Sequence, residues 1–324
     1  MSYVMCSHIV FPAIRGRREL NVYAVNSVKV ESSWKMLTDT AEIILPRKVR
    51  DFRNNRISEL FREGDPVEIR LGYNSELYTE FIGYITKVSA GIPVTLRLED
   101  EMYALKRRTV SVSMKNTNLK TLLQEIAPGY KIDCYDGIEL GSVRYTNISA
   151  AQVLEEVGKK TGMRAFFDRK VLRCGKVYGD QIDEPLVNVY LERNAVSEEL
   201  NRKDGGEYKI QVKAVSILKG GKKLEVKIGD SGGTVKQLSY VGITAKAELE
   251  KIVRADYERL KRKGFDGKVV LFGLPRIVQG QKINLKSELC PELDGTYYVD
   301  KVTKEFSDSA TYRQTIELGD EYGG

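Results

Sequence analysis

Apolar residues in this chain recur mainly at a period of two. Val67 and Ile69 alternate with Glu68 and Arg70, and Ile283 and Leu285 alternate with Lys282, Asn284 and Lys286. That is the pattern of an extended segment with one face on a core and the other in water. Further strands are predicted at VYAVNSVKVE, AEIIL, PLVNVYLE, YKIQVKAVSIL, KKLEVKIG, TVKQLSYVG and KVVLFGLPR, with turns at 204–206, 220–221 and 232–233. Many short strands joined by glycine turns predict antiparallel barrels or sandwiches. Helical spacing appears over 244–263, where Leu249, Ile252, Val253, Tyr257 and Leu260 form one stripe between Thr244 as N-cap and Gly264 as stop. The opposite face mixes Lys, Glu, Arg and Asp and reads as solvated.

The rhythm changes between about 111 and 176. Leu119, Leu122, Leu123 and Ile126 make a short helix ended by Pro128 and Gly129, and YKIDCY and VRYTNI follow as strands. Ser149 and Gln152 form a capping box for a helix carrying Val153, Leu154 and Val157, closed by Gly162. MRAFF and VLRC then read as a hairpin around Asp168 and Arg169. This is a compact α/β module, and its Met and aromatic residues read as core rather than as a cofactor box.

Four blocks on either side of the module repeat in order. LPRKV, with Leu45, Pro46 and Arg47, returns as LPRIV, with Leu274, Pro275 and Arg276. Gly64 ahead of the first alternating strand answers Gly280 ahead of the second. YITKV (84–88) answers YVDKV (298–302, with Tyr298 and Val299), and TLRLEDE (95–101) answers TIELGDE (315–321). The gaps differ only by loop-sized pieces: the first copy carries 50–63 with a short helix around ISELF, and the second has a longer loop through EFSDSATYRQ. Added loop length costs little closure entropy. Two unrelated meanders of amphipathic strands would also look alike in their apolar positions, but here identity extends to Lys87 and Lys301 and to Asp100 and Asp320. The reading is duplication of one folded unit, giving a mainly β, α+β chain in which two similar antiparallel barrels flank the module. The expected boundaries are 1–108, 109–180 and 181–324, the last with the helix 244–263 inserted.

Composition narrows the function. The 324 residues are 42% hydrophobic and 30% charged, with a mean hydropathy of −0.34. No apolar run approaches the roughly 20 residues of a membrane span. The apolar stretch at the start precedes its arginines, the reverse of a secretory signal, which implies synthesis in the cytoplasm. Cys6, Cys134, Cys174 and Cys290 form no CxxC pair and read as buried free thiols. Lys and Arg number 52 against 45 Asp and Glu, a net +7. This excess reads as spread out, densest at 15–18, 47–62 and 106–108, without the interleaved aromatics of a single-strand binding groove.

Candidate chemistry is sparse. His8 is the single histidine, so histidine-based nucleophilic machinery and multi-histidine metal sites are not indicated. GGKK at 220–223 lacks the frame of a phosphate loop and reads as a hairpin turn. Glu198 with Glu199, or Asp230, could serve as carboxylates in a hydrolase, yet acids are common throughout. No enzyme, cofactor or metal is expected.

The stretch GKVVLFGLPRIVQGQKINL, then LDGTYYVDKVTKEFS and TYRQTIEL, resembles the C-terminal part of phage tail baseplate hub proteins, the late control D family, related to the N-terminal region of type VI secretion VgrG spike proteins. The match runs over 197–321, extends to 42–101 as the first copy, and is weak in the middle. The resemblance implies a homotrimer whose six barrels adapt a hexameric tail tube protein to a trimeric spike protein. It also implies contact with other baseplate proteins, passing contact with DNA in the channel, and no membrane insertion. It would sit in the virion tail baseplate after assembly in the bacterial cytoplasm. No spike follows Gly324, so the spike is expected on another chain. Gly64 and Gly280 would start equivalent strands, Val67, Ile69, Ile283 and Leu285 would pack the barrels, and Gly273, Leu274 and Pro275 would form a bend. A DNA-binding module and a tail-associated cell-wall hydrolase are the alternatives.

Overall fold

A computed structural model describes residues 3–46, 60–89, 91, 93–136, 138–161, 163–175, 184–203, 209–218, 222–241, 243–261 and 264–322. The first unit contains β1 (Met5–Phe11), β2 (Leu20–Val22), β3 (Ser27–Ser33), β4 (Thr40–Leu45), β5 (Pro66–Tyr73), β6 (Glu76–Val88) and β7 (Val94–Glu99). The module follows with α1 (Met102–Arg107), β8 (Thr109–Asn118), α2 (Leu119–Ile126), β9 (Lys131–Cys134), β10 (Glu139–Ser149), α3 (Ala150–Thr161), β11 (Ala165–Asp168) and β12 (Val171–Cys174). The second unit comprises β13 (Val187–Tyr190), α4 (Leu191–Asn194), β14 (Ala195–Lys203), β15 (Ile210–Ile217), β16 (Lys223–Gly229), β17 (Thr234–Val241), α5 (Lys246–Leu260), β18 (Gly264–Phe272), β19 (Lys282–Lys286), β20 (Gly295–Ser307) and β21 (Thr311–Glu321).

The chain is mostly strand, in large antiparallel sheets, as the alternation predicts. In the first unit the ladders run β3-β4-β7-β6-β5, and in the second β14-β18-β21-β20-β19, antiparallel at every step. The two orders correspond strand for strand. They diverge only beyond the last member, where β1 joins β5 antiparallel and β13 joins β19 parallel.

Equivalence extends to single hydrogen bonds. Gly64 N–H donates to Ile85 O at 2.7 Å and Ile85 N–H returns to Asp65 O at 2.9 Å; Gly280 N–H donates to Val299 O at 2.7 Å and Val299 N–H returns to Gln281 O at 3.0 Å. The side chain after each glycine caps the turn it leaves, Arg62 N–H donating to Asp65 Oδ2 at 3.1 Å and Val278 N–H to Gln281 Oε1 at 2.9 Å. Both glycines have left-handed backbones, φ +85° and +76°, which residues with a Cβ adopt only at a cost.

The LPR repeat is out of register. Ile43 pairs with Leu96 and Leu45 with Val94, while Val269 pairs with Ile316 and Leu271 with Gln314. Because Leu96 and Ile316 are equivalent, Leu45 corresponds to Leu271, not Leu274. Leu45 ends β4 fully buried, whereas Leu274 and Pro275 lie past β18 in a bend with a cis peptide bond. The LPR pentads are alike in letters but occupy different places, since ladder register, not local sequence, sets equivalence. Arg47 and most of the helix expected at ISELF lie outside the described residues.

Among the described residues four apolar cores form. Leu45, Val67 and Ile69 belong to the first unit's core, and Ile283, Leu285 and Val299 to the second's. The module's core starts earlier than its expected boundary, since Met102 and Leu105 of α1 are part of it. Its helices begin as anticipated: Asn118 Oδ1 accepts from Thr121 N–H, and Ser149 and Gln152 exchange bonds of 2.8 and 3.1 Å. The fourth core corrects the sequence reading. Strands β15, β16 and β17 do not join the second unit's sheet; they form their own three-stranded sheet, and α5 packs on it through Leu249 and Val253. The insertion is therefore a lobe of 204–263 between β14 and β18, not a helix alone.

Replacing Gly64 or Gly280 with Ala is expected to cost about 1–2 kcal/mol each, nearly equally, in urea unfolding. Gly273→Ala should cost more, because a Cβ there would lie 2.2 Å from the Tyr312 ring.

Candidate functional site

The expected site residues do not converge on one point. Leu45, Val67, Ile69, Ile283, Leu285 and Val299 lie in the two units' cores, Gly64 and Gly280 in turns, Gly273, Leu274 and Pro275 in the bend after β18, and Tyr298 against Tyr322; the place where chemistry concentrates is the junction between the cores. Residues 301–307 of β20 pair with β21 on one edge and, antiparallel, with β3 on the other, from Lys301 opposite Ser33 to Ser307 opposite Ser27. The seam joins both units into one thirteen-stranded sheet. Period-two alternation turns Phe306 and Tyr312, which belong to the second unit by sequence, into the first unit's core. There Tyr312 lies 5.4 Å from the Tyr73 ring and 5.7 Å from Phe306. Asp300 adds polar contacts to the seam, accepting from Trp34 Nε1 at 2.9 Å and pairing with Lys35.

An ion cluster lies beside the seam. Glu80 of β6, 2% exposed, meets Lys304 of β20, 6% exposed, and both its oxygens accept from Arg276 Nε at 3.3 Å. Tyr312 Oη donates to Glu80 at 3.4 Å, and Arg276 also reaches Glu184 and Thr79 O at 3.3 Å. Burial pulls the Lys304 ammonium below its usual range, and Glu80 partly restores it. Burial likewise raises the Tyr312 phenol, with Glu80 adding to the effect. Gln314, fully buried on β21, holds the bend that presents Arg276: its Nε2 donates to Phe272 O and Pro275 O, and its Oε1 accepts from Ile277 N–H.

The cluster opens on a cavity of about 500 Å³ that the module closes with Phe166, Phe167, Arg169 and Arg173. Asp39 and Asp100 also line it. Burial raises the Asp39 carboxyl to about 7, and burial together with the Asp39 charge raises Asp100 well above the ordinary range. Their oxygens accept backbone N–H groups, Ser33 on Asp39 at 3.1 Å, and Asp39 and Met102 on Asp100 at 3.1 and 3.0 Å. The pair thus fastens β3, the turn before β4 and the start of α1. Tyr84 and Tyr130 both donate to the neighbouring Glu101. What this arrangement supplies is cohesion between three parts of the chain.

The carboxylates nominated from sequence lie elsewhere. Glu198 and Glu199 are exposed neighbours on β14, and Asp230 pairs with Lys261 at 2.8 Å and caps Ile210 N–H in the lobe. Among the described residues no group of three or more His, Cys, Asp or Glu is placed to hold a metal, and no described helix is long and apolar enough to cross a membrane. Sequence reading missed Glu80 and Lys304. One signal was available: in VTKEF, Lys304 sits at the same alternation phase as Val302 and Phe306, an inward lysine that needs a buried carboxylate.

No protein-family model and no curated protein matches the sequence. Solved structures do match. A tail protein from Neisseria meningitidis superposes with a TM-score of 0.66 at 13% identity over 99% of this chain and 98% of that one. A 43 kDa tail protein of the prophage MuSo2 from Shewanella oneidensis gives 0.65 at 13% over 97% and 98%. An E. coli component of the type VI secretion system, described as similar to the T4 bacteriophage tail proteins gp27 and gp5, gives 0.58 at 11% over 92% and 73%. The chain has the fold of these tail proteins along essentially its whole length.

Removing one member of the buried cluster leaves opposite charges uncompensated. Glu80→Ala is expected to cost about 3–5 kcal/mol, while Glu80→Met with Lys304→Met should recover part of that loss in denaturant unfolding. The raised Asp39 carboxyl favours the fold in its protonated form. Its contribution is full below the unfolded value near 4 and is lost as pH rises through about 7. Asp39→Asn should therefore flatten the decline in melting temperature between about pH 4 and pH 8.

Proposed function

We propose that this chain, carrying the tail-protein fold, is a structural component of the baseplate hub of a phage tail or a related injection apparatus, acting as an adaptor between tube and spike. The observation that supports this most is the pairing of two units with the same ladder order, tied into one sheet. Three copies would present six comparable units to a hexameric tube and three equivalent faces to a trimeric spike, because duplication inside the chain converts threefold symmetry into near-sixfold contact. On this reading the units follow the boundaries 1–108, 109–180 and 181–324 except that α1 packs with the module and 204–263 stands apart as the lobe, each unit closes as a barrel in the ring, and the partners are tube, spike and other baseplate proteins. The buried cluster of Glu80, Arg276 and Lys304 fixes the angle between the two units, which a ring under load requires. No catalysis is assigned.

Two measurements test this. Particles produced without the chain should lack joined tubes and spikes in electron micrographs, and the chain should be found in intact particles. Purified with its spike partner, it should be present at three copies of its 36.6 kDa chain per complex. Complete tails assembled in its absence would overturn the reading.

A further inference from the structure

The net charge is not spread out, as the sequence alone suggests; it is sorted by the fold. The lobe of 204–263 carries fourteen Lys and Arg against eight Asp and Glu, a net +6 over sixty residues, while residues 1–180 spread the same net +6 over three times that length. The rest of its own unit, 181–203 with 264–324, carries ten against fifteen, a net −5. Strand β14 separates the two. The lobe leaves from its end, where Lys203 pairs with Gly264. At its beginning stands an acidic corner. Here Glu192 accepts from Ser287 Oγ at 2.7 Å and Leu289 N–H at 3.2 Å, and Glu288, Glu292 and Asp294 lie on the same turn, offset only by Arg193 and Lys286. In the corner Leu289 is 81% exposed and Glu288 67%.

Nine strand residues put the two poles about 25 Å apart, well beyond the roughly 8 Å over which charges act at physiological salt. A chain therefore cannot bring its lobe against its own corner through the rigid strand between them. A second copy can.

We infer that the basic lobe of one copy docks on the acidic corner of the next, head to tail, with Leu289 covered at the contact. Such a heterologous contact closes a ring when its rotation allows. The partner is a second copy of this chain because the complementary surface is present on the same molecule. Lobe residues suited to the contact are Lys222 just before β16, Lys227 on β16, and Lys251 and Arg254 on α5, all exposed. This inference rests on the reading above only in requiring several copies side by side.

The test is a charge exchange followed by sedimentation at about 20 mM and about 300 mM salt. The lobe variant carries Lys222→Glu, Lys227→Glu, Lys251→Glu and Arg254→Glu; the corner variant carries Glu288→Lys and Glu292→Lys. Far-ultraviolet spectra and melting confirm folding. The wild-type chain should associate at low salt, each variant should associate at least about tenfold more weakly, and one chain carrying both sets should regain most of the loss. A chain monomeric at low salt, a lobe variant that associates like wild type, or a combined variant that fails to recover would each overturn the contact. A lobe that binds duplex DNA, with reversal abolishing that binding and leaving self-association unchanged, would overturn it in favour of nucleic acid. Incorporation into particles separates the two claims: lobe variants found in complete tails sink this contact alone, and absence of the wild-type chain from particles sinks the hub.

Discussion

Residues 301–307 of β20 are hydrogen-bonded on both edges, to β21 within their own unit and to β3 in the other. Everything about the relation of the two units follows from this shared strand. Backbone ladders admit little freedom of angle once several consecutive pairs are made, so the orientation of one sheet is inherited by the next. The arm formed by β20 and β21 then inserts Phe306 and Tyr312 among the first unit's apolar residues, and the second unit cannot move without opening the first unit's core. In the first unit the hairpin of β6 and β7 is shorter, with Val88 and Val94 standing where Val302 and Gln314 stand in the second. The longer hairpin arm in the second copy is thus the part that fuses the pair.

Such an extension brings charged side chains into the interior, and the ion cluster is the consequence. Lys304 alternates with Val302 and Phe306, so its ammonium points where apolar groups pack. Burying a charge is costly unless it is paired and hydrogen-bonded. Glu80 arrives from β6, Arg276 from the bend after β18, and Tyr312 completes the set. Buried ion pairs of this kind contribute less to stability than to the choice of one arrangement over its neighbours. Lining the same cavity, Asp39 and Asp100 do for the module what Glu80 does for the second unit, binding it through backbone groups.

Charge elsewhere obeys a different constraint. The lobe of 204–263 has its own core, is joined to the second unit through β14 and β18, and touches the module's core through Ile217 of β15, so its remaining exposed surface can vary in composition. It has become basic while the unit that bears it has become acidic. The sum of these charges is unremarkable, and their separation along β14 is what gives the molecule poles.

Much was legible in order along the chain. Alternation at Val67 and Ile69 and at Ile283 and Leu285 marked strands because a half-buried strand must alternate, and the capping box at Ser149 and Gln152 marked a helix start because those side chains bond within three residues of themselves. The equivalence of Gly64 and Gly280 was also readable, since a left-handed turn before a strand requires glycine locally. What could not be read is whatever depends on partners distant in sequence. Ladder register placed Leu45 against the position of Leu271 although the letters favoured Leu274, and strand pairing gave β15, β16 and β17 a sheet of their own although their pattern matched the unit around them. Glu80 and Lys304, 224 residues apart, became a pair only when tertiary structure carried the second unit's arm into the first. A sequence determines which face of each strand seeks a core. Which core that face finds is decided by the closure of the whole chain.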